Sequence, residues 1–406
     1  MKNRIDFRRV FLLAGLVALV MVYAILWVKT LSDPALRTGS DFIAFYSAGR
    51  IARSGDLAAV FDPGAQRLVE QDVLGFEIRP EDLNPFVHPP FIVPVLALVA
   101  GFDYVTAFHL WGLFLGILCV ASAWVLGGLF PAPEQRGRVV LAAGFLTFFP
   151  LYVSIVNGQD SALLLFGAVL WLLGLRRRDD RLAGLGLALT TIRPQLALAL
   201  ALPFIFRQRK VWWWFCAGAG VLVLISVLLV GPAGVANFLR ILSISAGGEG
   251  YKIHESAMVN LIGLLVRTVP ALPAQAIRVV GWAGFAILVP LLCVIWWKSP
   301  VIEEKHVGLA VVLALFLSPH LHYHDLAMLL LPLGGAMRVL SARRLAEMKD
   351  IVLVPVSLSL VLLFGFFVPA IQSFLPYLVM LALVLFLWMP EKVIFWKRPR
   401  QDGPIP

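Results

Sequence analysis

Apolar runs of roughly 18–25 residues recur from one end of this chain to the other, and that is the length a helix needs to cross a bilayer. A chain built this way cannot hide its apolar surface in one water-soluble core. It is 60% hydrophobic and only 14% charged, where soluble domains carry about a quarter charged residues. The alternating pattern of an outer-membrane barrel is absent, so the expected fold class is an all-α polytopic membrane protein. The net charge of +10 does not call for nucleic acid, because Lys and Arg form short clusters beside the apolar runs, the positive-inside pattern. Cys119, Cys216 and Cys293 all lie in apolar runs and read as small buried hydrophobes. The first apolar segment, Val10 to Val28, is longer than a signal-peptide core and reads as a retained helix.

The basic clusters orient the chain. Lys2, Arg4, Arg8 and Arg9 hold the N-terminus in the cytoplasm. Residues 31–103 then form the first external loop, with juxtamembrane helices inside it; its polar part, 31–89, is richer in Asp and Glu than in Lys and Arg. Ser40 is placed to cap a helix from Asp41 to Arg53, whose apolar side predicts a position along the membrane surface. Pro89-Pro90 opens a short apolar helix to about Ala100. Crossings follow at 104–130 and 139–156, and 160–175 returns to Arg176-Arg177-Arg178. Between that run and Arg207, Arg209 and Lys210 lie two half-length helices, 182–191 and 196–206. Both basic ends are cytoplasmic, so the turn Ile192-Arg193-Pro194-Gln195 projects toward the external half, as a broken helix can when it lines a cavity. Residues 211–230 cross outward, an external loop runs to about Leu261, and 273–297 cross inward. Residues 306–318 go out, 325–338 return to Arg338, Arg343, Arg344 and Lys349, and 351–368 and 374–390 complete the chain. The expectation is about twelve spans in one domain, 1–406, with both termini inside.

One ionisable run interrupts this apolar background. Ser318-Pro319-His320-Leu321-His322-Tyr323-His324-Asp325 holds three of the seven histidines and a carboxylate. Such groups are costly at membrane depth and mark a functional site by default. Asp41, His88, Asn157, Arg193, Lys252 and His320 all fall on the external side of the charge-derived topology. They are expected to face one pocket.

The order of these islands resembles a known family. Ser40-Asp41-Phe42-Ile43-Ala44-Phe45-Tyr46-Ser47-Ala48-Gly49-Arg50, Phe61-Asp62-Pro63 and Pro85-Phe86-Val87-His88-Pro89-Pro90 are similar to the first external loop of the family 87 glycosyltransferases. Asn157-Gly158-Gln159, Arg193-Pro194-Gln195 and Ser318-Pro319-His320 continue the resemblance in order. Many relatives carry Lys where this chain has Arg193, a cation of different geometry. The resemblance implies a GT-C fold and transfer of a sugar, mannose in characterised members, from a polyprenyl phosphate to a glycolipid or cell-envelope glycan. It implies work on the periplasmic side of a bacterial cytoplasmic membrane.

In that chemistry an acceptor hydroxyl loses a proton as it attacks the anomeric carbon, and a carboxylate can take it. Asp41 matches the family's catalytic aspartate; the bland alternative is an Asp that stabilises a helix N-terminus. Asp62, before Pro, reads as a turn residue. The leaving lipid phosphate needs cations or N–H donors. Arg193 can offer two parallel hydrogen bonds, or can merely anchor its hairpin; the resemblance adds His320, and Lys252 is a further candidate. Tyr46, His88, Asn157, Gln159, Gln195, His254, His322, His324 and Asp325 are the sugar- or acceptor-binding candidates. The amides among them both donate and accept, or serve as caps and interhelical bonds. No cofactor is required, although His322 or His324 with Asp325 could hold a divalent metal; the spacing matches no standard zinc pattern. Trp212-Trp213-Trp214 beside Lys210 reads as an interfacial belt. A transporter or flippase of lipid-linked glycans is the competing reading, since broken helices and intramembrane charge suit it too; a scaffold subunit is a third. The long external loop with its carboxylate favours the enzyme.

Overall fold

The computed structural model describes residues 7–32, 41–130, 135–247, 255–342, 351–368, 371 and 374–389. Every regular element among them is helical. Lys2, Arg4, Ser40, Lys252, His254, Arg343, Arg344 and Lys349 lie outside the described residues.

Four helices are long and apolar enough to cross a membrane singly: Leu13–Thr30, Tyr104–Gly128, Arg209–Ala246 and Ala274–Lys298. A fifth crossing is made if Gln135–Leu146 and Phe149–Val156, bent by 59°, count as one. The bend falls just before Pro150, which has no N–H for the preceding turn. Tyr104–Gly128 begins sharply because the Asp103 carboxylate accepts from Val105 N and Thr106 N, both at 3.1 Å. The remaining expected spans exist as shorter helices: Ser161–Arg177, Glu304–Leu317, Leu330–Ala342, Leu353–Phe367 and Leu375–Trp388.

Two expectations need correcting. Residues 231–247 are not loop: one helix runs from Arg209 to Gly247, with a break at Gly231 (φ 65°, ψ 179°) before Pro232. The Gly-Pro pair that signals a loop here restarts a helix, since Pro suits a first helical position. The apolar side of the helix Phe42–Arg53 faces protein. Phe42 to Gly49 are all buried, because Val93–Val99, Leu57–Phe61 and Pro63–Leu74 pack around it. Asp62 is an N-cap, its carboxylate accepting from Ala65 N at 2.7 Å.

The broken hairpin forms as Asp180–Leu189, a tight turn at Thr190–Ile192, and Pro194–Ala201. It packs between Ser161–Arg177 and Arg209–Gly247. Backbones touch there: a Cβ on Gly174 would sit 2.3 Å from Ala183 N, and one on Gly186 2.4 Å from Trp171 N. Small residues permit this approach, which is how helices associate where lipid supplies no hydrophobic drive.

The helix ends sort by charge. Glu304 pairs with both Arg176 and Arg338, tying three helices together at one end. Nearby cations cover aromatic rings, Arg181 over Trp214 at 5.2 Å and Lys305 over Trp388 at 5.6 Å. Trp213 is 66% exposed, as an interfacial belt requires. Asp160 begins the helix that Arg176 nearly ends, so the groups around Asp160 lie at the opposite end, about 25 Å away at 1.5 Å per residue.

Candidate active site

At that opposite end a cavity of about 810 Å³ is lined by Asp41, Asn84, His88, Asn157, Gln159, Arg193, Gln195, His320, His322, His324 and Asp325 on its polar wall. Phe238, Leu239, Leu242, Trp282 and Phe285, from the two long apolar helices, line the other.

Local geometry brings Asp41 to the polar wall. Gly158 has φ 68°, and a Cβ there would lie 2.5 Å from the Phe42 Cβ, so only glycine fits. Its carbonyl accepts from Trp111 Nε1 at 2.7 Å, and the Asn157 carbonyl accepts from Phe42 N at 3.0 Å. The Asn157-Gly158 turn is thereby clamped to the start of the Phe42–Arg53 helix. Asp41 makes no side-chain cap bond to that helix. Its Oδ1 accepts instead from Asn84 Nδ2 at 3.4 Å.

The Asn84–His88 segment is held from behind. Gln66, wholly buried, accepts from Phe86 N at 2.8 Å and donates to Val60 O at 2.7 Å. Glu70 Oε2 accepts from Asn84 N at 3.4 Å. His88 then packs on Phe45, ring centroids 4.5 Å apart.

Around Arg193 the polar wall holds a buried charge network. Arg193 Nη1 is 2.9 Å from Asp160 Oδ1, its Nη2 donates to Gln159 Oε1 at 3.2 Å, and its Nε is 3.6 Å from Asp325 Oδ1. Ser161 Oγ donates to Asp325 Oδ1 at 2.7 Å, and His324 Nε2 is 3.6 Å from Asp325 Oδ2. His88 Nδ1 lies 2.8 Å from both Arg193 Nη1 and Asp160 Oδ2. That nitrogen can accept from the arginine or donate to the carboxylate, but not both. Asp160 is fully buried, and its carboxylate caps no helix. The guanidinium fork that the sequence offers to a phosphate is therefore largely engaged by protein: Nη1 faces His88 and Asp160, Nη2 faces Gln159, and Nε lies 3.6 Å from Asp325.

The histidine run is non-helical from Ser318 to His322, with a bend at Pro319 and His320. Asn260 Nδ2 donates to Ser318 O at 2.7 Å and Val259 N to Leu321 O at 3.0 Å. His320 and His322 rings lie 4.8 Å apart, and His322 and His324 5.9 Å apart. All three border the cavity. Gln195 Nε2 reaches the His320 carbonyl at 3.5 Å. Among the described residues no group of three or more His, Cys, Asp or Glu side chains is arranged to hold a metal ion, and that includes His322, His324 and Asp325.

Tyr46 does not reach the cavity. It is 3% exposed, its hydroxyl donates to Phe102 O at 2.9 Å, and its ring packs on Phe42 and Tyr104. Its helical position one turn beyond Phe42 turns it into the packing interface with Tyr104–Gly128. Asp160, Ser161 and Asn84 join the site without having been singled out in the sequence. A signal existed for Asp160, an ionisable residue opening an apolar run directly after Asn157-Gly158-Gln159. For Asn84 nothing local points to Asp41, 43 residues away.

No curated protein and no solved structure matches the chain. A sequence profile of glycosyltransferase family 87 matches residues 86–319, more than half of it, including His88, Asp160 and Arg193. With an all-helical, membrane-capable architecture and a charged cavity at one end of the bundle, the chain belongs to glycosyltransferase family 87, and it is a membrane glycosyltransferase.

Proposed function

We propose that the protein moves a hexose, mannose by preference, from a polyprenyl-phosphate donor to a glycolipid or cell-envelope glycan acceptor at the external face of the cytoplasmic membrane. The observation that carries this reading is the Asp41 carboxylate, which lines the cavity and caps no helix. A carboxylate in that position is available to a substrate hydroxyl.

The acceptor oxygen attacks the anomeric carbon while Asp41 takes its proton. The bond between that carbon and the phosphate oxygen breaks on the opposite side, and its electrons leave with the lipid phosphate. Attack from the side opposite the leaving group inverts the anomeric centre. His320 and Arg193 receive the phosphate, and Lys252 is a further candidate for it. Asn157, Gln195, His322 and His324, with Gln159, His88 and Asp325, line the space for sugar and acceptor hydroxyls. His254 is a further candidate for the acceptor. The apolar wall of Leu239, Leu242, Trp282 and Phe285 suits a polyprenyl chain.

The external location draws support from charge. The cavity lies at the end of Ser161–Arg177 opposite Arg176 and its partners, and clustered cations favour the cytoplasm. A GT-C arrangement of about twelve crossings follows if the shorter helices also span, with their breaks satisfied by protein.

The test is transfer by purified protein in lipid nanodiscs, supplied with polyprenyl-phosphate mannose and envelope glycolipids. Labelled product of inverted anomeric configuration is expected. A protein that leaves this donor intact across a panel of acceptors, while moving the lipid-linked sugar between leaflets, would overturn the reading.

A further inference from the structure

Among the described residues, Asp160 is the most enclosed charge that the proposed reaction does not use. Its residue is 0% exposed. It sits just before the helix Ser161–Arg177, where a carboxylate would ordinarily accept from the first backbone N–H groups, yet it makes no such bond. It faces the network instead, 2.9 Å from Arg193 Nη1 and 2.8 Å from His88 Nδ1. Burying a carboxylate costs several kcal/mol unless it is paired, so its orientation is bound to its partners.

Arg193 has its own reason to need holding. It sits at the break between Thr190–Ile192 and Pro194–Ala201, with φ −121° and ψ 84°. An arginine has many rotamers to lose. His88 and Asp160 at Nη1, Gln159 on Nη2 and Asp325 near Nε hold the guanidinium on three sides. Arg193 itself borders the cavity.

We propose that Asp160 is a positioning residue: it holds the Arg193 guanidinium at the cavity wall so that it receives the phosphate of the lipid leaving group. The proposal rests on the phosphate-donor reading above. It assigns Asp160 no contact with substrate.

The direction of the effect separates this role from plain electrostatics. Removing a negative charge near an anion-binding site should tighten anion binding if charge alone matters. Removing the residue that positions Arg193 should weaken it. The probes are farnesyl phosphate and farnesol, which share an isoprenoid chain and differ in the phosphate, titrated into full-length protein in nanodiscs. Wild type is expected to prefer farnesyl phosphate by about tenfold or more, the usual worth of a hydrogen bond between charged groups. Asp160→Asn should lose most of that preference while binding farnesol as before, and Asp160→Glu should retain an intermediate preference. Combined with Arg193→Lys, Asp160→Asn should remove less than the two single changes added together.

Wild type with no preference for the phosphate would overturn the phosphate-donor reading itself, and this inference with it. A wild-type preference that Asp160→Asn preserves or increases would overturn only the positioning role. Should Asp160→Asn not fold, Asp160→Glu carries the test, because it keeps the charge and displaces the carboxylate. Its preference should fall about threefold with farnesol binding unchanged, and an undiminished preference would overturn the proposal.

Discussion

Arg193 Nη1 lies 2.9 Å from Asp160 Oδ1, with both side chains buried, and this pair joins two separate polar islands of the sequence. His88 and Asp325 close on the same pair from two further segments. The network fixes the floor of the cavity, because each charge is tolerable only while the others stay in place.

Arg193→Ala is therefore expected to destabilise the protein as well as slow transfer. It strands Asp160 and Asp325 as uncompensated buried carboxylates, and breaking one side of such a pair costs about 3–5 kcal/mol. Arg193→Lys keeps a cation and should melt closer to wild type while raising the donor concentration needed for half-maximal rate. Thermal unfolding in detergent, run beside donor kinetics, checks both; an Arg193→Ala protein of unchanged stability would contradict the network.

Asp41→Asn separates catalysis from structure. Asp41 makes no cap bond, so the substitution should leave the melting temperature nearly unchanged. Transfer should fall by about 10²–10⁴-fold, the ordinary worth of acid–base assistance, with farnesyl phosphate binding intact. A folded Asp41→Asn enzyme turning over at the wild-type rate would remove Asp41 as the base.

Gly158→Ala should injure the same step from a distance. The position has φ 68°, and the added methyl meets Phe42 at 2.5 Å. Strain of about 1–3 kcal/mol is expected, relieved by moving the start of the Phe42–Arg53 helix and Asp41 with it. A drop in turnover larger than the drop in folded protein is the expected reading. Equal losses would mean that the turn supports folding only.

Tyr46→Phe tests the opposite case. The hydroxyl bonds Phe102 O inside the core, so its loss should cost about 1 kcal/mol of stability. Donor and acceptor kinetics should be unchanged; an altered acceptor KM would return Tyr46 to the substrate pocket.

Membrane sidedness is open to direct labelling. In a cysteine-free background, Asp72→Cys should react with an impermeant thiol reagent in intact cells and Arg177→Cys only after lysis. Asp72 is an exposed side chain in the segment that packs beside Phe42–Arg53. The reverse pattern would invert the topology and move the cavity to the cytoplasmic side.

What the sequence determined by itself was the class of the molecule and most helix positions. Hydropathy and charge clusters carry that information because bilayer insertion acts on each segment separately. It also pointed to the histidine run as ionisable residues in an apolar stretch, and to Asp41 and Arg193 through their resemblance to a family pattern. Local signals failed where neighbours decide. Gly231-Pro232 reads as a loop and restarts a helix. The Phe42–Arg53 helix has an apolar side that suits a membrane surface, and only the elements packed around it explain its burial. The site itself was decided by tertiary structure. Asp325 takes its hydrogen bond from Ser161, 164 residues away, and Arg193 meets His88 across 105. No local pattern encodes which buried charge will neutralise which. That choice is made when the segments pack, since a charge removed from water is stable only beside the partner the fold delivers.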